Sequence, residues 1–250
     1  MTQILSAKRL CHSIEQEEHD VTDDLLALLS EECNKLRPDV FFLKSQIRLI
    51  IGTLKKHCQN STVKDILDKF PCLKFEKVLL EASNALTNTD IDRNLLRLLN
   101  KMCKGFQTLV ELKMSLKTKC RSLLIDINEE SDESISKNLR AAMLVHLFTK
   151  EKSVLYVFDT DPVCLTPILR IKGPVLRPIS IDLFVDILLV ATDIPDFSCG
   201  VTMVMAAYFL FDIAYPKPLV KTSNFIEHHI ISDKVKLCKT ANQISKICKL

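Results

Sequence analysis

The sequence has very little glycine. It holds 4 glycines in 250 residues, where an average usage of about 7% would give roughly 17. Gly52, Gly105, Gly173 and Gly200 are also far apart along the chain. Dinucleotide fingerprints, phosphate-cradling loops and nucleophile elbows need closely spaced glycines for sharp turns and close backbone approach. The glycine spacing therefore excludes those enzyme classes.

Long hydrophobic runs and a strong excess of one charge are also lacking. The most apolar window, Val201–Phe211, is shorter than the roughly 20 residues that cross a bilayer, and the first residues carry no apolar signal-peptide core. Lys and Arg number 34 against 31 Asp and Glu, which is not the strongly basic balance of a dedicated nucleic-acid binder. We expect a cytoplasmic protein, with a nuclear location as the alternative, that neither spans a membrane nor is secreted.

Cysteine is abundant, with ten residues, but no two form a Cys-x-x-Cys pair. That absence excludes zinc-ribbon and thioredoxin-type motifs, and it favours reduced thiols on apolar helix faces. Two groups of ligand-type residues also fail to match common zinc spacings: His228, His229, Cys238 and Cys248, and Cys11, His12, His19 and Cys33. We expect no metal and no other cofactor. A nucleophilic Cys–His pair stays open, because such partners meet only in the fold.

Proline divides the chain into two regions. Only Pro38 and Pro71 precede residue 150, and seven prolines follow it. Proline is rare inside helices and common at turns and sheet edges. The distribution predicts a mainly α protein, with a helical array over residues 1–150 and a small α+β unit with about three strands over residues 151–250.

Apolar periodicity predicts the individual elements. The first region should contain six helices, over Thr22–Leu36, Val40–Cys58, Ser61–Phe70, Phe75–Leu86, Leu95–Leu123 and Ile135–His146. Asn60 or Ser61 is the expected N-cap of the third. The second should contain a strand over Ser153–Phe158, strand candidates over Cys164–Ile171 and Ile179–Val190, and helices over Ser198–Phe211 and Ser223–Ile230. The candidate over Ile179–Val190 is ambiguous, because the four-residue spacing of Asp182 and Asp186 also fits a helix.

The fifth helix carries a heptad seam. Its apolar positions alternate at spacings of four and three, with one polar intruder at Lys113: Leu95, Leu99, Met102, Phe106, Leu109, Leu116, Cys120 and Leu123. Such a seam can bind a partner helix or a second copy of the chain. In a bundle it more commonly packs inside the molecule. The candidate partner-binding residues are Leu95, Leu99, Met102, Phe106, Leu109 and Leu116.

A basic stripe lies beside the seam, formed by Arg93, Arg97, Lys101 and Lys104. These four cations could follow a phosphate backbone. The alternative is a solvated helix face, which the lack of interleaved aromatic residues for base stacking favours.

An Asp-x-Asp pair, Asp159 and Asp161, follows the first predicted strand. Two carboxylates at the end of a strand can hold Mg²⁺ or Mn²⁺ together with phosphate oxygens. A polar turn before Pro162 explains the same residues. A metal-dependent transferase is therefore only a minor alternative.

The string from Ala207 to Lys217, AYFLFDIAYPK, with Phe225-Ile226 after it, resembles the C-terminal region of a group of uncharacterised vertebrate proteins labelled sterile-alpha-motif-domain-containing-like. The resemblance covers roughly residues 153–231, and no sterile-alpha-motif domain is visible in this sequence. It implies a shared domain and a mobile-element ancestry. It implies no activity, because the group has none established.

These observations favour an interaction or structural protein without catalytic activity. Nucleic-acid association is the alternative, and it depends on the basic stripe and on the resemblance.

Overall fold

Eleven α-helices and one four-stranded sheet form within residues 23–111, 118–148 and 155–250, which are the residues that the computed structural model describes. The helices are α1 (Asp23–Cys33), α2 (Val40–Leu49), α3 (Ile51–Asn60), α4 (Val63–Lys69), α5 (Glu76–Thr87), α6 (Ile91–Glu111), α7 (Thr118–Glu129), α8 (Glu133–Phe148), α9 (Phe197–Leu210), α10 (Val220–Ile230) and α11 (Lys239–Cys248). The strands are β1 (Tyr156–Phe158), β2 (Ile168–Lys172), β3 (Ser180–Val185) and β4 (Leu188–Ala191). The expected class, mainly α with a small α+β unit, is confirmed.

Helix α9 is apolar on every side and lies at the centre of the fold. Thirteen of its fourteen residues are buried, and Cys199 is the exception. It packs against α5, α6 and α8 on one side and against β2 and β3 on the other. A helix without a polar face must be covered all round. One hydrophobic core therefore extends through both sequence regions.

Small residues allow the neighbours of α9 to come close. The Ser83 hydroxyl of α5 donates to the backbone carbonyl of Ala206 at 3.0 Å, in a fully buried contact. At Gly200 an added Cβ would lie 2.7 Å from Leu169 Cδ1 of β2. Any larger residue at Gly200 would therefore push α9 away from the sheet.

The buried start of α9 is capped by side chains from two segments. Asp196 Oδ1 accepts from the backbone N–H of Cys199 at 2.7 Å, as expected for an N-cap aspartate. The Asn138 side chain of α8 accepts from the backbone N–H of Ser198 at 3.1 Å and donates to the Leu176 carbonyl at 3.2 Å. These bonds satisfy helix-terminal donors that would otherwise be buried without partners.

The sheet has the order β1-β2-β3-β4, with β1 parallel to β2 and the other pairs antiparallel. Alternation along the strands sends Leu169, Ile171, Ile181 and Leu183 into the core. On the other face Arg170 is opposite Asp182, and its guanidinium donates to that carboxylate at 2.7 Å. The same guanidinium lies 4.9 Å from the centre of the Phe184 ring.

Several element boundaries differ from the sequence expectation. The predicted helix over residues 40–58 is interrupted at Ile50, whose φ of −102° and ψ of 13° are not helical. The predicted strand over residues 179–190 is a hairpin, β3 and β4, which turns at Asp186 and Ile187. Thr62, and not Asn60 or Ser61, caps α4 through a reciprocal pair of bonds with Asp65. Helix α11 was not predicted from the sequence.

The predicted boundary between the two regions, near residues 149–153, lies outside the described residues, as does residue 154. The boundary therefore stays a prediction. None of the described helices is long and apolar enough to cross a membrane.

The contact between α6 and α11 leads to a test of packing at Gly105. An alanine in a helix interior is favoured over glycine by about 1 kcal/mol. At Gly105, however, the new Cβ would lie 2.6 Å from both Cα and Sγ of Cys248, and such overpacking costs about 1–3 kcal/mol. We expect Gly105→Ala to lower the free energy of unfolding, measured by urea denaturation.

Lys77→Ala, at an exposed position of α5, is the control, since it changes helix propensity without adding an atom to an interface. Its free energy of unfolding should stay within about 0.5 kcal/mol of wild type. A Gly105→Ala protein as stable as wild type would contradict the tight packing of α6 on α11.

Candidate functional site

The described part of the heptad seam faces the core of its own chain. Leu95 is 1% exposed, and Leu99, Met102 and Phe106 are 0% exposed. A partner helix cannot reach these four side chains without opening the fold. Thus, for these residues, the structure shows the intramolecular packing that the sequence left as one of two alternatives. Lys113 and Leu116, and the side chains of Leu109 and Cys120, lie outside the described part.

The basic stripe lies on the opposite, solvent-facing side of α6. Arg93, Arg97, Lys101 and Lys104 are all exposed. The same 21-residue helix thus has an apolar side that anchors it in the core and a cationic side that faces water. Exposure is compatible with both alternatives for the stripe, a solvated face or an anion-binding surface.

A groove runs beside the stripe, between α6 and the C-terminal helices. It has a volume of about 580 Å³. Helix α6 contributes Asn94, Arg97, Leu98, Asn100 and Lys101 to its lining, and His229 of α10 and Leu250 complete it. Two of these seven side chains are cationic and none is acidic. The volume lies within the range of small-molecule sites, about 300–1,000 Å³.

Hydrogen bonds fix the polar side chains of this groove. Arg140 of α8 donates to Asn100 Oδ1 at 2.6 Å, so the Asn100 amide nitrogen remains as a donor. The Asn94 amide donates to the Ile230 carbonyl at 3.1 Å. Arg97 donates to Asn94 Oδ1 at 3.4 Å. These contacts hold donors in place at the groove before any ligand binds.

His229 is held as a neutral ring in the same groove. Ser245 Oγ uses its one hydrogen to donate to the Ala241 carbonyl at 3.0 Å. It therefore accepts from His229 Nε2 at 2.8 Å. Because a neutral imidazole carries a single N–H, Nδ1 of His229 has no proton. Burial, then the neighbouring His228 and Lys101, lower the pKa of His229 to about 4. The groove thus contains one neutral ring beside its cations at neutral pH.

One carboxylate of the Asp-x-Asp pair, that of Asp161, forms an ion pair within the protein. Asp161 binds the guanidinium of Arg170, which also holds the buried Asp182. Asp159 lies in a left-handed turn with φ of 52°. One guanidinium thus serves two carboxylates, and Asp161, one of the two that the transferase hypothesis assigns to a metal, is already engaged in an ion pair.

The ligand-type residues stay dispersed. Across residues 23–111, 118–148 and 155–250, no three His, Cys, Asp or Glu side chains lie where they could hold a metal ion. His228 donates from Nδ1 to the Val235 carbonyl at 2.8 Å, and Cys248 packs beside Gly105. Cys11, His12 and His19 lie outside the described residues.

The described cysteines are free thiols. Burial raises the pKa of Cys58 and of Cys199 to about 12, and it raises the pKa of Cys248 to about 11. A thiolate is the nucleophilic form of cysteine. These three side chains therefore remain protonated near neutral pH, which disfavours them as nucleophiles.

The aromatic string that carries the resemblance has a structural role. Tyr208 and Tyr215 pack edge to face, with ring centres 4.9 Å apart. The Tyr215 hydroxyl donates to Glu227 of α10 at 2.9 Å. Burial raises the pKa of Glu227, although this hydrogen bond partly opposes the rise. The string thus fastens the segment after α9 to α10.

Sequence reasoning did not find an exposed apolar cluster at one end of the sheet, which we call the apolar tip. It consists of Val163, Leu165, Ile187 and Leu189, which are 96%, 68%, 58% and 43% exposed. The Asp186 N–H donates to the Leu165 carbonyl at 3.2 Å, so the loop after β1 meets the β3–β4 turn here. Exposed apolar clusters commonly mark interaction sites.

Ile187 holds its place in the apolar tip at a conformational cost. Its φ is +61°, and that of Asp186 is +51°, as in a two-residue hairpin turn that normally uses Asn-Gly. A β-branched residue in this region is a genuine outlier, and the left-handed conformation costs roughly 1–2 kcal/mol.

We expect Ile187→Gly to stabilise the protein by about 0.5–1 kcal/mol, because glycine adopts positive φ freely but loses more chain entropy on folding. Urea unfolding monitored by circular dichroism measures this. Ile179→Gly is the matched control, since Ile179 is also exposed, at 83%, but has no positive φ, and it should not stabilise. A less stable Ile187→Gly protein would contradict the strain.

Comparison of the chain with known protein families, curated proteins and solved structures gives no match. The resemblance of residues 153–231 to the sterile-alpha-motif-like group therefore stays a prediction.

Proposed function

We propose that the protein is an intracellular interaction module, and that the apolar tip is the surface that binds its protein partner. The observation that carries the proposal is the exposure of Ile187 on a strained turn. A residue that costs folding energy and buries little apolar area does not contribute to stability. Strained positions of this kind concentrate at functional sites.

The chemistry of the apolar tip indicates the partner. Asp161 and Asp186 flank it. Asp161 shares Arg170 with Asp182, so this group of three keeps one negative charge, and the segments 161–167 and 186–189 contain no Lys or Arg. Apolar side chains with an acidic border suit a partner segment that carries apolar and basic side chains, because complementary charge guides association and excludes wrong partners. In this proposal the heptad seam does not contact the partner. Its role is to anchor α6 in the core through the buried side chains of Leu95, Leu99, Met102 and Phe106.

A photo-cross-linking side chain in place of Val163, in cells that express the protein, tests this surface. We expect covalent products with a partner protein whose cross-linked peptide contains Lys or Arg beside apolar residues. Leu165→Glu should abolish these products, because it adds charge to the apolar contact. Ile187→Gly should weaken them while the free energy of unfolding rises. Mass spectrometry of the cross-linked peptides is the measurement.

The same cross-linker at Ile179, exposed at the other end of β3, is the control. Equal products from both positions, or products unaffected by Leu165→Glu, would overturn the proposal. Cross-links only to a second copy of the chain would overturn the choice of partner.

A second candidate function is nucleic-acid association through the basic stripe. Its support is that all four cations of the stripe are exposed on one face of α6. Each cation that replaces a counterion on a single strand contributes about 0.7 to the slope of log affinity against log salt. Thus a contact made by the four cations predicts binding that falls steeply with salt.

We expect conversion of Arg93, Arg97, Lys101 and Lys104 to glutamine to reduce this slope by about 2–3, measured by fluorescence anisotropy with a short single-stranded oligonucleotide. The control converts four other exposed cations, Lys69, Lys74, Lys172 and Arg177, so net charge changes equally. If both variants reduce the salt slope equally, or if the wild-type protein does not bind the oligonucleotide at low salt, the nucleic-acid hypothesis is wrong.

A further inference from the structure

The groove beside α6 has the features of a site for a small phosphate-bearing molecule. We infer that Arg97, Lys101 and Asn100 bind the phosphate group of such a ligand. This inference is independent of the protein partner proposed for the apolar tip. It concerns only two of the four cations in the basic stripe, so it can also be separated from nucleic-acid binding.

The first support is the charge of the lining. Arg97 and Lys101 are one helical turn apart on α6, so both side chains reach the same section of the groove. Among the seven lining side chains there is no Asp or Glu. An anion entering the groove therefore meets two cationic side chains and no acidic one; the one anionic group that the lining residues carry is the α-carboxylate of Leu250, the last residue of the structure.

The second support is that a neutral donor lines the same groove as the cations. Asn100 gives its side-chain oxygen to Arg140 at 2.6 Å, which leaves its amide nitrogen for a ligand. Arg140 is itself held by Ser136, to which it donates at 3.0 Å. The Asn100 amide is thus held in place by further hydrogen bonds, which lowers the conformational-entropy cost of binding a ligand.

The number and kind of donors favour phosphate over a carboxylate. The planar fork of Arg97 pairs with two oxygens of an oxyanion, and Lys101 acts as a point charge. With the Asn100 amide, these donors can contact three oxygens at once, which a tetrahedral phosphate presents and a carboxylate does not. Leu98 and Leu250 add apolar surface to the lining, against which the organic part of a ligand can pack.

His229 gives the site a built-in reporter. Its ring lines the groove and is packed edge to face against Phe225 and His228, with ring centres 4.7 Å apart in each pair. The ring is close enough to Lys101 for that cation to lower its pKa. An anion bound to Lys101 therefore changes the field at the ring, which the NMR signal of the ring carbon detects.

Titration of the full chain with inorganic pyrophosphate, followed by calorimetry and by the His229 ring signal, tests the inference. We expect saturable binding with one site, and a shift of the His229 signal along the same curve. Arg97→Gln and Lys101→Gln should each weaken binding about tenfold or more. Asn100→Asp should weaken it further, since the carboxylate still accepts from Arg140 but repels the ligand.

Arg93→Gln is the matched control, because Arg93 is exposed on the same helix but does not line the groove. It should leave pyrophosphate binding unchanged. If an oligonucleotide without a terminal phosphate binds along all four cations of the basic stripe, Arg93→Gln should weaken the binding of that oligonucleotide. No saturable pyrophosphate binding at low salt would overturn the inference. Equal losses in Arg93→Gln and Arg97→Gln would also overturn it, since they would indicate non-specific attraction.

Discussion

The requirement to bury α9 on all sides organises the whole structure. A helix with no polar face cannot lie at a surface, so α5, α6 and α8 cover one side of it and the sheet covers the other. Of these helices, α5 also packs against α2 and α8 also packs against α7, whereas α6 presents its cationic side to water. The groove lies along α6, and the apolar tip includes the turn that follows β3; both α6 and β3 pack on α9.

The same requirement explains which polar residues are buried. A buried helix start leaves backbone N–H groups that must find acceptors, and Asp196 and Asn138 supply them. Lys137 then lies 3.3 Å from Asp196, which compensates the half-buried carboxylate. These groups cluster because the end of α9 is inside the protein, and their geometry satisfies the buried backbone donors.

Sequence periodicity predicted the elements well where a single face or all faces are apolar. Helix α9 and the core side of α6 are examples, because burial alone decides their pattern. The turn at Asp186–Ile187 was missed because its sequence lacks the usual Asn-Gly and because strand and helix spacing compete over residues 179–190. The register there is set by the pairing of β3 with β2 and with β4, which no local pattern records.

The candidate sites were predicted only in part, for a related reason. The stripe from Arg93 to Lys104 follows from helical spacing, but its division between groove and open surface depends on where α10 and α11 pack. The apolar tip brings together segments more than 20 positions apart, because the Asp186 N–H, next to Ile187, donates to the Leu165 carbonyl. The heptad seam, which includes Leu99, is the strongest periodic pattern in the sequence because its residues pack in the core. The exposed residues of the apolar tip, by contrast, follow no periodic pattern. Surface function in this fold is therefore placed by long-range packing, and it becomes visible only once the neighbours of α9 are in position.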